Sequence, residues 1–280
     1  MKVGVNLLLW TGVVTEKELD LLPVIKSWGA DGVELPMFSP DASPWKTVAK
    51  ACDDHGLGRS TVAVLPPGAN LIGDEAAERK AAVDFLKACV DASASMGADV
   101  LCGPVYSPVG RLVGRGPTDE ERARCIEGLK SVGEHAKGTG VKVAVEPLNR
   151  FETYFLNTQS DTAKIVDAVG LDSIGQMFDT FHANIEEKDV AKCIADGGKR
   201  IVHVHISAND RATPGEDHID YVSPMKALKT IGYNGWLTLE AFGQRLPELA
   251  AATCIWRKMA PSEEYIAEHG AKFIKKLIQS

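Results

Sequence analysis

The sequence predicts one (β/α)8 barrel, the TIM-barrel class of α/β fold. Short runs rich in β-branched and other apolar residues alternate with helical stretches along all 280 residues. Eight such runs are bounded by Gly, Pro, Asn or Asp, as buried parallel strands are, and eight strand–helix units make a barrel of this size. The predicted strands are Val3–Leu9, Gly32–Leu35, Ser60–Leu65, Asp99–Cys102, Val141–Glu146, Gly175–Asp179, Ile201–Ile206 and Trp236–Glu240.

Three of the intervening stretches show clear helical periodicity. Glu75–Met96 is the longest, and Ser262–Ile278 is an amphipathic segment near the end of the chain. Thr118–Lys137 opens with Thr-Asp-Glu-Glu, an N-cap followed by acidic residues at the positive end of the helix. The predicted apolar face of the longest helix is Ala77, Ala81, Phe85, Ala88 and Ala92.

Glycine links mark the returns from helix to sheet. The triplet Gly-Ala-Asp precedes two strands, at Gly29–Asp31 and Gly97–Asp99, where Gly lies just beyond the last helical turn. A doubly wound sheet normally has a Gly-rich phosphate loop after its first strand, and none follows Leu9. No linker or low-complexity segment interrupts the sequence, so we expect residues 1–280 to form one domain.

Charge and cysteine content restrict the class of partner. The 31 basic and 38 acidic side chains sum to a formal charge of −7, which disfavours a nucleic-acid partner because such a partner requires clustered Lys and Arg. No apolar run approaches the roughly 20 residues that span a bilayer, so no membrane partner is expected. The six cysteines form no C-x-x-C pair, which indicates reduced, mostly buried thiols and a cytoplasmic protein.

The last four predicted strands each end in a polar side chain. These residues are Glu146, Asp179, His205 and Glu240. In this fold, catalytic residues lie at the carboxyl ends of the strands. Burying three carboxylates and an imidazole around one axis is costly unless a cation neutralises them, so the set predicts a site for Mn²⁺, Mg²⁺ or Co²⁺. His203 shares the face of His205 but lies one layer deeper, and we interpret it as a core histidine.

Further polar residues follow three of these strand ends, and a long loop follows the fourth strand. The loop, Gly103–Pro117, lies on the predicted catalytic face. Together the polar residues predict a rim of donors and acceptors suited to a polyhydroxylated ligand. They are Asn149, Arg150, Glu152, His182, Asn184, Glu186, Asn209, Asp210 and Arg211.

Four groups of motifs between about residues 140 and 260 carry a family resemblance. The first is EPLNRFE at Glu146–Glu152, and the second is FDTFHANIEE at Phe178–Glu187. The third, between His203 and Glu216, consists of HVH, AN, R and PGE. The fourth, between Gly232 and Arg257, consists of GYNGW, EAF and WR. The motifs resemble those of the ketose 3-epimerases, the group of D-tagatose/D-psicose (allulose) 3-epimerase and L-ribulose 3-epimerase. That group belongs to the xylose-isomerase-like barrel superfamily.

The resemblance implies roles for individual residues. It also implies that the protein forms a homodimer or homotetramer. The implied metal ligands are Glu146, Asp179, His205 and Glu240, with Mn²⁺ foremost and Co²⁺ or Mg²⁺ as alternatives. Glu146 and Glu240 are implied as the acid/base pair for C3 epimerisation of a free ketose of the D-tagatose, D-fructose, D-psicose or L-ribulose type. Glu152, His182 and Arg211 are implied as contacts to the carbonyl end of that substrate.

The first half of the chain departs from the better-known members of the group. Those members carry aromatic side chains at the end of the first strand, where this chain has Asn6 and Leu7. They also carry a Trp-bearing stretch after the fourth strand, where this chain has Tyr106. These groups contact the far end of the sugar, so the resemblance leaves the preferred ketose open.

Three other functions are weighed for such a barrel. An aldose–ketose or hydroxypyruvate isomerase would use the same metal site but move a proton between C1 and C2. An apurinic-endonuclease-type barrel would need a His-rich cluster of zinc ions, whereas the chain has seven His and an acidic charge balance. A sugar-binding barrel without turnover would have a broken acid/base pair, yet Glu146 and Glu240 are both present. We therefore predict an epimerase, with the isomerase as the alternative.

Overall fold

Eight parallel strands close into a barrel, in which each strand pairs with the next and the last pairs with the first. The computed structural model describes residues 1–280. The strands are β1 (Lys2–Asn6), β2 (Gly32–Pro36), β3 (Gly58–Val62), β4 (Val100–Gly103), β5 (Lys142–Val145), β6 (Ile174–Asp179), β7 (Ile201–Ile206) and β8 (Trp236–Leu239). The predicted (β/α)8 class is confirmed.

Helices connect the strands along the whole chain. They are α1 (Leu21–Ser27), α2 (Trp45–Asp54), α3 (Ala76–Ser95), α4 (Asp119–Ala136), α5 (Gln159–Val169), α6 (Thr180–Glu186), α7 (Val190–Gly197), α8 (Val222–Thr230), α9 (Pro247–Ala252) and α10 (Glu263–Gln279). None of them combines the length and the apolar character that crossing a membrane requires. All six cysteines are free, and five of them are buried, as expected from the sequence.

Several local predictions need correction, among them the end of β3, which lies at Val62 rather than Leu65. β1 ends at Asn6 rather than Leu9, because the Asn6 side chain accepts a hydrogen bond from the Leu8 amide at 2.8 Å and starts a 3-10 turn over Leu7–Leu9. The predicted apolar face of α3 is wrong at Ala77 and Ala81, which are exposed, whereas Phe85 and Ala92 pack against the core. Larger side chains set the helix rotation, and the buried residues are Ala82, Leu86, Cys89, Val90 and Ser93.

The start of α4 anchors the long loop that follows β4. Thr118 and Glu121 form a reciprocal capping box, as the opening Thr-Asp-Glu-Glu predicts. Glu121 also accepts hydrogen bonds from Arg115 at 2.9 and 3.0 Å and from the Tyr154 hydroxyl at 2.7 Å. Burial opposes ionisation of Glu121, but these donors outweigh it and lower its pKa to about 2.

Glu121→Gln is expected to destabilise the fold by about 1–3 kcal/mol at pH 7, because Arg115, Thr118 and Tyr154 lose a charged acceptor. The pKa of Glu121 is lower in the folded protein than in the unfolded chain. Its contribution to the free energy of unfolding is therefore fully present above the unfolded pKa of about 4.3, and it is lost as pH falls toward the folded pKa of about 2. Urea unfolding of wild type and Glu121→Gln at pH 7 and at pH 3 measures this difference in stability. A difference between wild type and variant that does not shrink at pH 3 would contradict this prediction.

Candidate active site

Four side chains from the last four strands converge at the carboxyl end of the barrel. Glu146 directly follows β5, Asp179 is the last residue of β6, His205 lies in β7, and Glu240 directly follows β8. All four are buried, and their potential ligand atoms lie within 4.8 Å of one another. The structure thus brings together the whole set of residues predicted from the strand ends.

The chemistry of this group fits a divalent cation. Hard divalent ions bind oxygen ligands at about 2.0–2.6 Å, so ligand atoms up to about 5 Å apart can share one ion. Nδ1 of His205 is buried without a hydrogen bond, and it lies 3.3 Å from Glu240 Oε1 and 3.8 Å from Asp179 Oδ2. The three carboxylates and the nearby Arg211 guanidinium sum to two negative charges when all are ionised, which a divalent ion balances.

Backbone geometry at two strand ends orients the carboxylates. Asp179 caps α6, since its Oδ1 accepts a hydrogen bond from the Phe181 amide at 2.6 Å. The Glu146 amide donates to the Gly103 carbonyl at 3.0 Å, which holds the end of β5 against the end of β4. Gly103 has φ +130°, and a Cβ there would lie 2.1 Å from the Ala63 carbonyl oxygen, so only Gly fits at this position.

Arg211 is fixed beside two of the carboxylates. Its Nη2 lies 3.0 Å from Glu240 Oε2, and its Nη1 lies 3.4 Å from Asp179 Oδ2. The guanidinium is sandwiched between the rings of Phe181 and Phe242, whose centroids lie 4.4 and 4.7 Å from it. Arg211 also has φ +65°, a left-handed conformation that costs a non-glycine residue about 1–3 kcal/mol. The fold therefore holds this cation in one place at an energetic cost.

His182 presents an N–H group to the site. Its Nδ1 accepts a hydrogen bond from the Asn149 amide at 3.0 Å, so the proton of the neutral ring lies on Nε2. Nε2 lies 3.6 Å from Glu146 Oε1 and has no hydrogen-bond partner. Burial and the charge of Arg211 hold the pKa of His182 well below its usual value. The Asn149 side chain in turn donates to Glu152 at 2.8 Å and orients that carboxylate.

The two candidate acid/base residues have opposite pKa shifts. Burial, together with the negative charge of Glu240, raises the pKa of Glu146 well above its usual value. Burial acts in the same direction on Glu240, but the positive charge of Arg211 and the contact with His205 outweigh it and lower that pKa to about 2. Burial raises the pKa of Asp179 to about 6. The surroundings of the two carboxyl groups therefore shift their pKa values in opposite directions.

A cavity of about 670 Å³ opens above this group. Its polar wall contains the catalytic candidates Glu146 and Glu240 together with Glu152, His182 and Arg211, the three predicted substrate contacts. The remainder of the wall is largely apolar, and the loop after β4 contributes to it as expected. Apolar residues that line the cavity include Leu8, Phe38, Val62, Pro104, Val109, Phe242, Leu246 and Leu249.

Other predictions about the cavity wall need correction. Leu8 lines the cavity, whereas Asn6 and Leu7 are buried outside it, because the 3-10 turn after β1 rotates the chain. Tyr106 is fully buried against Phe155. Of the predicted rim, Asn149, Asn184, Asn209 and Asp210 do not line the cavity, and Glu186 pairs with Arg150 away from it at 2.9 Å.

Sequence reasoning did not identify Glu34, which lies in β2. It is fully buried, and its carboxylate lies 2.6 Å from His205 Nε2 and 2.7 Å from His203 Nε2. Burial opposes its ionisation, but the two histidines outweigh that effect and hold the pKa of Glu34 well below its usual value. The only signal in the sequence is an acidic residue within the apolar run Gly32–Leu35. His203 is buried one layer below the site, as interpreted from the sequence.

Comparison with known proteins agrees with this arrangement. The family model described as xylose isomerase-like TIM barrel matches residues 22–277. A probable ketose 3-epimerase from Synechocystis sp. is 34% identical over all of this chain and 98% of its own. A ketose 3-epimerase from Arthrobacter globiformis is 30% identical over 98% of this chain and 96% of its own. The crystal structure of D-allulose 3-epimerase from Methylomonas sp. in complex with D-allulose matches with a TM-score of 0.92 and 25% identity, over 99% of this chain and 96% of that one.

The chain therefore belongs to the xylose isomerase-like TIM barrel family and, within it, to the ketose 3-epimerases. The family resemblance seen in the sequence motifs is confirmed, and so is the prediction of an epimerase-class enzyme.

Proposed function

We propose that the protein epimerises free ketoses at C3 in a metal-dependent reaction, with substrates of the D-tagatose, D-fructose, D-psicose or L-ribulose type. The observation that carries this proposal is geometric: two buried carboxylates, Glu146 and Glu240, line one cavity and belong to the group of four ligand-type side chains at the end of the barrel. The chain's similarity to ketose 3-epimerases supports the same reaction.

The proposed metal ligands are Glu146, Asp179, His205 and Glu240. Three carboxylates and one imidazole form a hard donor set, so Mn²⁺ is our first choice, with Co²⁺ and Mg²⁺ as alternatives. When bound, such an ion holds neighbouring oxygens of a ketose and spreads the negative charge that develops as C3 loses its proton. No other cofactor is required for proton transfer.

The two glutamates perform the proton transfer in this proposal. One carboxylate removes the C3 proton, and the C–H electron pair becomes part of a cis-enediolate. The other carboxyl group then delivers a proton to the opposite face of C3, which inverts that centre. A pair with opposite protonation states is what this chemistry requires, because one member must accept a proton while the other holds one.

Arg211, His182 and Glu152 are proposed to hold the carbonyl end of the ketose. The Arg211 guanidinium and the Nε2–H of His182 stabilise negative charge on the carbonyl oxygen as the enediolate forms. Glu152, oriented by Asn149, accepts a hydrogen bond from a substrate hydroxyl. The cavity wall beyond these groups is largely apolar and contacts the far end of the sugar.

Arg211→Ala is expected to lower turnover by about 10²–10³-fold, the usual effect of removing one group that stabilises an oxyanion. Metal content is expected to persist, since Arg211 is not a ligand and its removal takes a positive charge away from the site. Kinetics and elemental analysis on the same sample measure both. Arg150→Ala is the matched control, because Arg150 pairs with Glu186 outside the cavity. Near-normal kinetics in Arg211→Ala would contradict its proposed role.

A panel assay tests the proposed function. The protein is incubated with D-fructose, D-tagatose or L-ribulose and Mn²⁺, and the products are separated by chromatography. We expect the C3 epimer of at least one ketose. Aldose products would instead identify an isomerase on the same site, and a protein that binds these sugars without any product would be a sensor.

The assembly and compartment are part of the proposal. We propose a homodimer or homotetramer, supported by the large exposed apolar side chains of Phe151 and Trp256. We also propose that the protein is cytoplasmic, supported by its six free thiols. Analytical ultracentrifugation of the purified protein gives the subunit count directly.

A further inference from the structure

A second cluster of ionisable side chains lies directly below the candidate active site. Glu34, Cys102, His203 and His205 place potential ligand atoms within 4.8 Å of one another. The Glu34 oxygens, however, lie only 2.6 and 2.7 Å from the two imidazole Nε2 atoms. Two atoms that bind one ion at about 2.0–2.1 Å in tetrahedral geometry stand roughly 3.3 Å apart. The cluster is therefore a hydrogen-bonded unit rather than a second metal site.

The surroundings of Glu34 make both of its oxygens acceptors. Oε1 accepts from Asn6 Nδ2 at 2.9 Å, and Oε2 accepts from the Ser60 hydroxyl at 2.8 Å and the Cys102 thiol at 3.4 Å. The Asn6 amide cannot be reversed without loss of a bond, because its Oδ1 accepts from the Leu8 amide. Register pairing of Asn6, Glu34 and Ser60 across β1, β2 and β3 fixes these contacts.

This arrangement determines which nitrogen of His205 faces the candidate metal site. Nε2 of His205 lies 2.6 Å from Oε1 of Glu34, and it donates because that oxygen is an acceptor. The opposite nitrogen, Nδ1, has no hydrogen bond and lies 3.3 Å from Glu240 Oε1. A nitrogen can bind a metal ion only through a free lone pair, so Nδ1 is the ligand atom that this contact makes available.

We propose that Glu34 is a positioning residue for the metal site, which accepts the Nε2–H of His205 and thereby holds Nδ1 toward the three carboxylates. The proposal rests on the metal site of the proposed function. Glu34 itself contacts neither the cavity nor the other ligands. It acts through His205 alone.

Glu34→Gln tests this role by titration calorimetry of the metal-free protein with Mn²⁺. Glutamine has the shape of glutamate but offers an N–H in place of one acceptor oxygen, so the hydrogen bonds of His205 and its neighbours cannot all be kept. We expect Mn²⁺ affinity to fall by about 10–100-fold, the usual effect of losing the partner of a ligating histidine.

The matched control is Glu121→Gln, the same substitution at a buried glutamate that belongs neither to the candidate metal ligands nor to the cavity wall. It is expected to lower stability without changing Mn²⁺ affinity. Wild-type affinity in Glu34→Gln would overturn the proposal, and so would an equal loss of affinity in both variants, which would indicate general destabilisation. A wild-type protein that binds no Mn²⁺ would instead contradict the metal site of the proposed function.

A measurement on wild type keeps the proposal testable if Glu34→Gln does not fold. Long-range ¹H–¹⁵N NMR of the Mg²⁺-loaded protein identifies which nitrogen of each histidine carries a proton. We expect His205 to carry its proton on Nε2, with Nδ1 unprotonated. A His205 ring with the proton on Nδ1 would overturn the role assigned to Glu34.

Discussion

Glu146→Gln and Glu240→Gln are each expected to abolish ketose epimerisation, with a loss of at least the roughly 10²–10⁴-fold that a positioned acid/base residue supplies. The loss is larger if both side chains are also metal ligands, so Mn²⁺ occupancy is measured on every sample. Product formation is followed by chromatography. Glu186→Gln is the matched control, because this half-buried glutamate pairs with Arg150 outside the cavity and its amide form is expected to retain turnover.

The two variants are expected to differ in the proton that they can still exchange. In each variant, the remaining glutamate can remove the C3 proton that faces it and return a solvent-derived one to the same side. In D₂O, each metal-loaded variant should therefore place deuterium at C3 of one epimer only, without forming the other. The variants should prefer opposite epimers. Exchange of the same epimer by both variants would contradict the assignment of one glutamate to each face.

Removal of divalent ions with a chelator is expected to abolish turnover, and added Mn²⁺ or Co²⁺ is expected to restore it. The reason is that Arg211, whose charge is shared with Glu240, and the neutral His182 ring supply less positive charge than an enediolate beside three carboxylates requires. Full activity after exhaustive chelation, with no metal by elemental analysis, would contradict the site.

Asp179→Asn isolates one ligand charge. Asn caps a helix as well as Asp, so the start of α6 is kept while the site loses one negative charge. Loss of a residue that only supports a ligand usually weakens metal binding by about 10–100-fold. Asp179 is proposed as a ligand itself, so we expect its substitution to weaken Mn²⁺ binding by more than about tenfold. Asp189→Asn, at the N-cap of α7, is the control and should bind Mn²⁺ as wild type does.

Periodicity and strand-end chemistry were sufficient to predict the barrel and its main polar group. Eight apolar runs fix the class of fold, and a parallel barrel brings all its strand ends to one face, so Glu146, Asp179, His205 and Glu240 had to converge. The identities of those residues carry the chemistry, because a buried set of three carboxylates and one imidazole is stable only with positive charge nearby.

The features that the sequence did not predict depend on side-chain direction and on register. Asn184 and Glu186 follow a strand end as His182 does, but the rotation of α6 points only His182 into the cavity. Glu34 is a single acidic residue within an apolar strand. Its partners, His203 and His205, lie in β7, and only the closed barrel brings them within hydrogen-bond distance of β2. The stacking of Arg211 between Phe181 and Phe242 joins the segments after β7 and β8 to helix α6, and no local pattern encodes it.

Deuterium incorporation by the wild-type enzyme tests the proton-transfer proposal most directly. The Mn²⁺-loaded protein is incubated in D₂O with whichever ketose of the panel reacts, and the product is analysed by NMR. We expect the C3 epimer with deuterium at C3 and none at C1. A C3 epimer without deuterium at C3, or label at C1 or C2 accompanied by an aldose, would contradict proton transfer at C3 by the two glutamates.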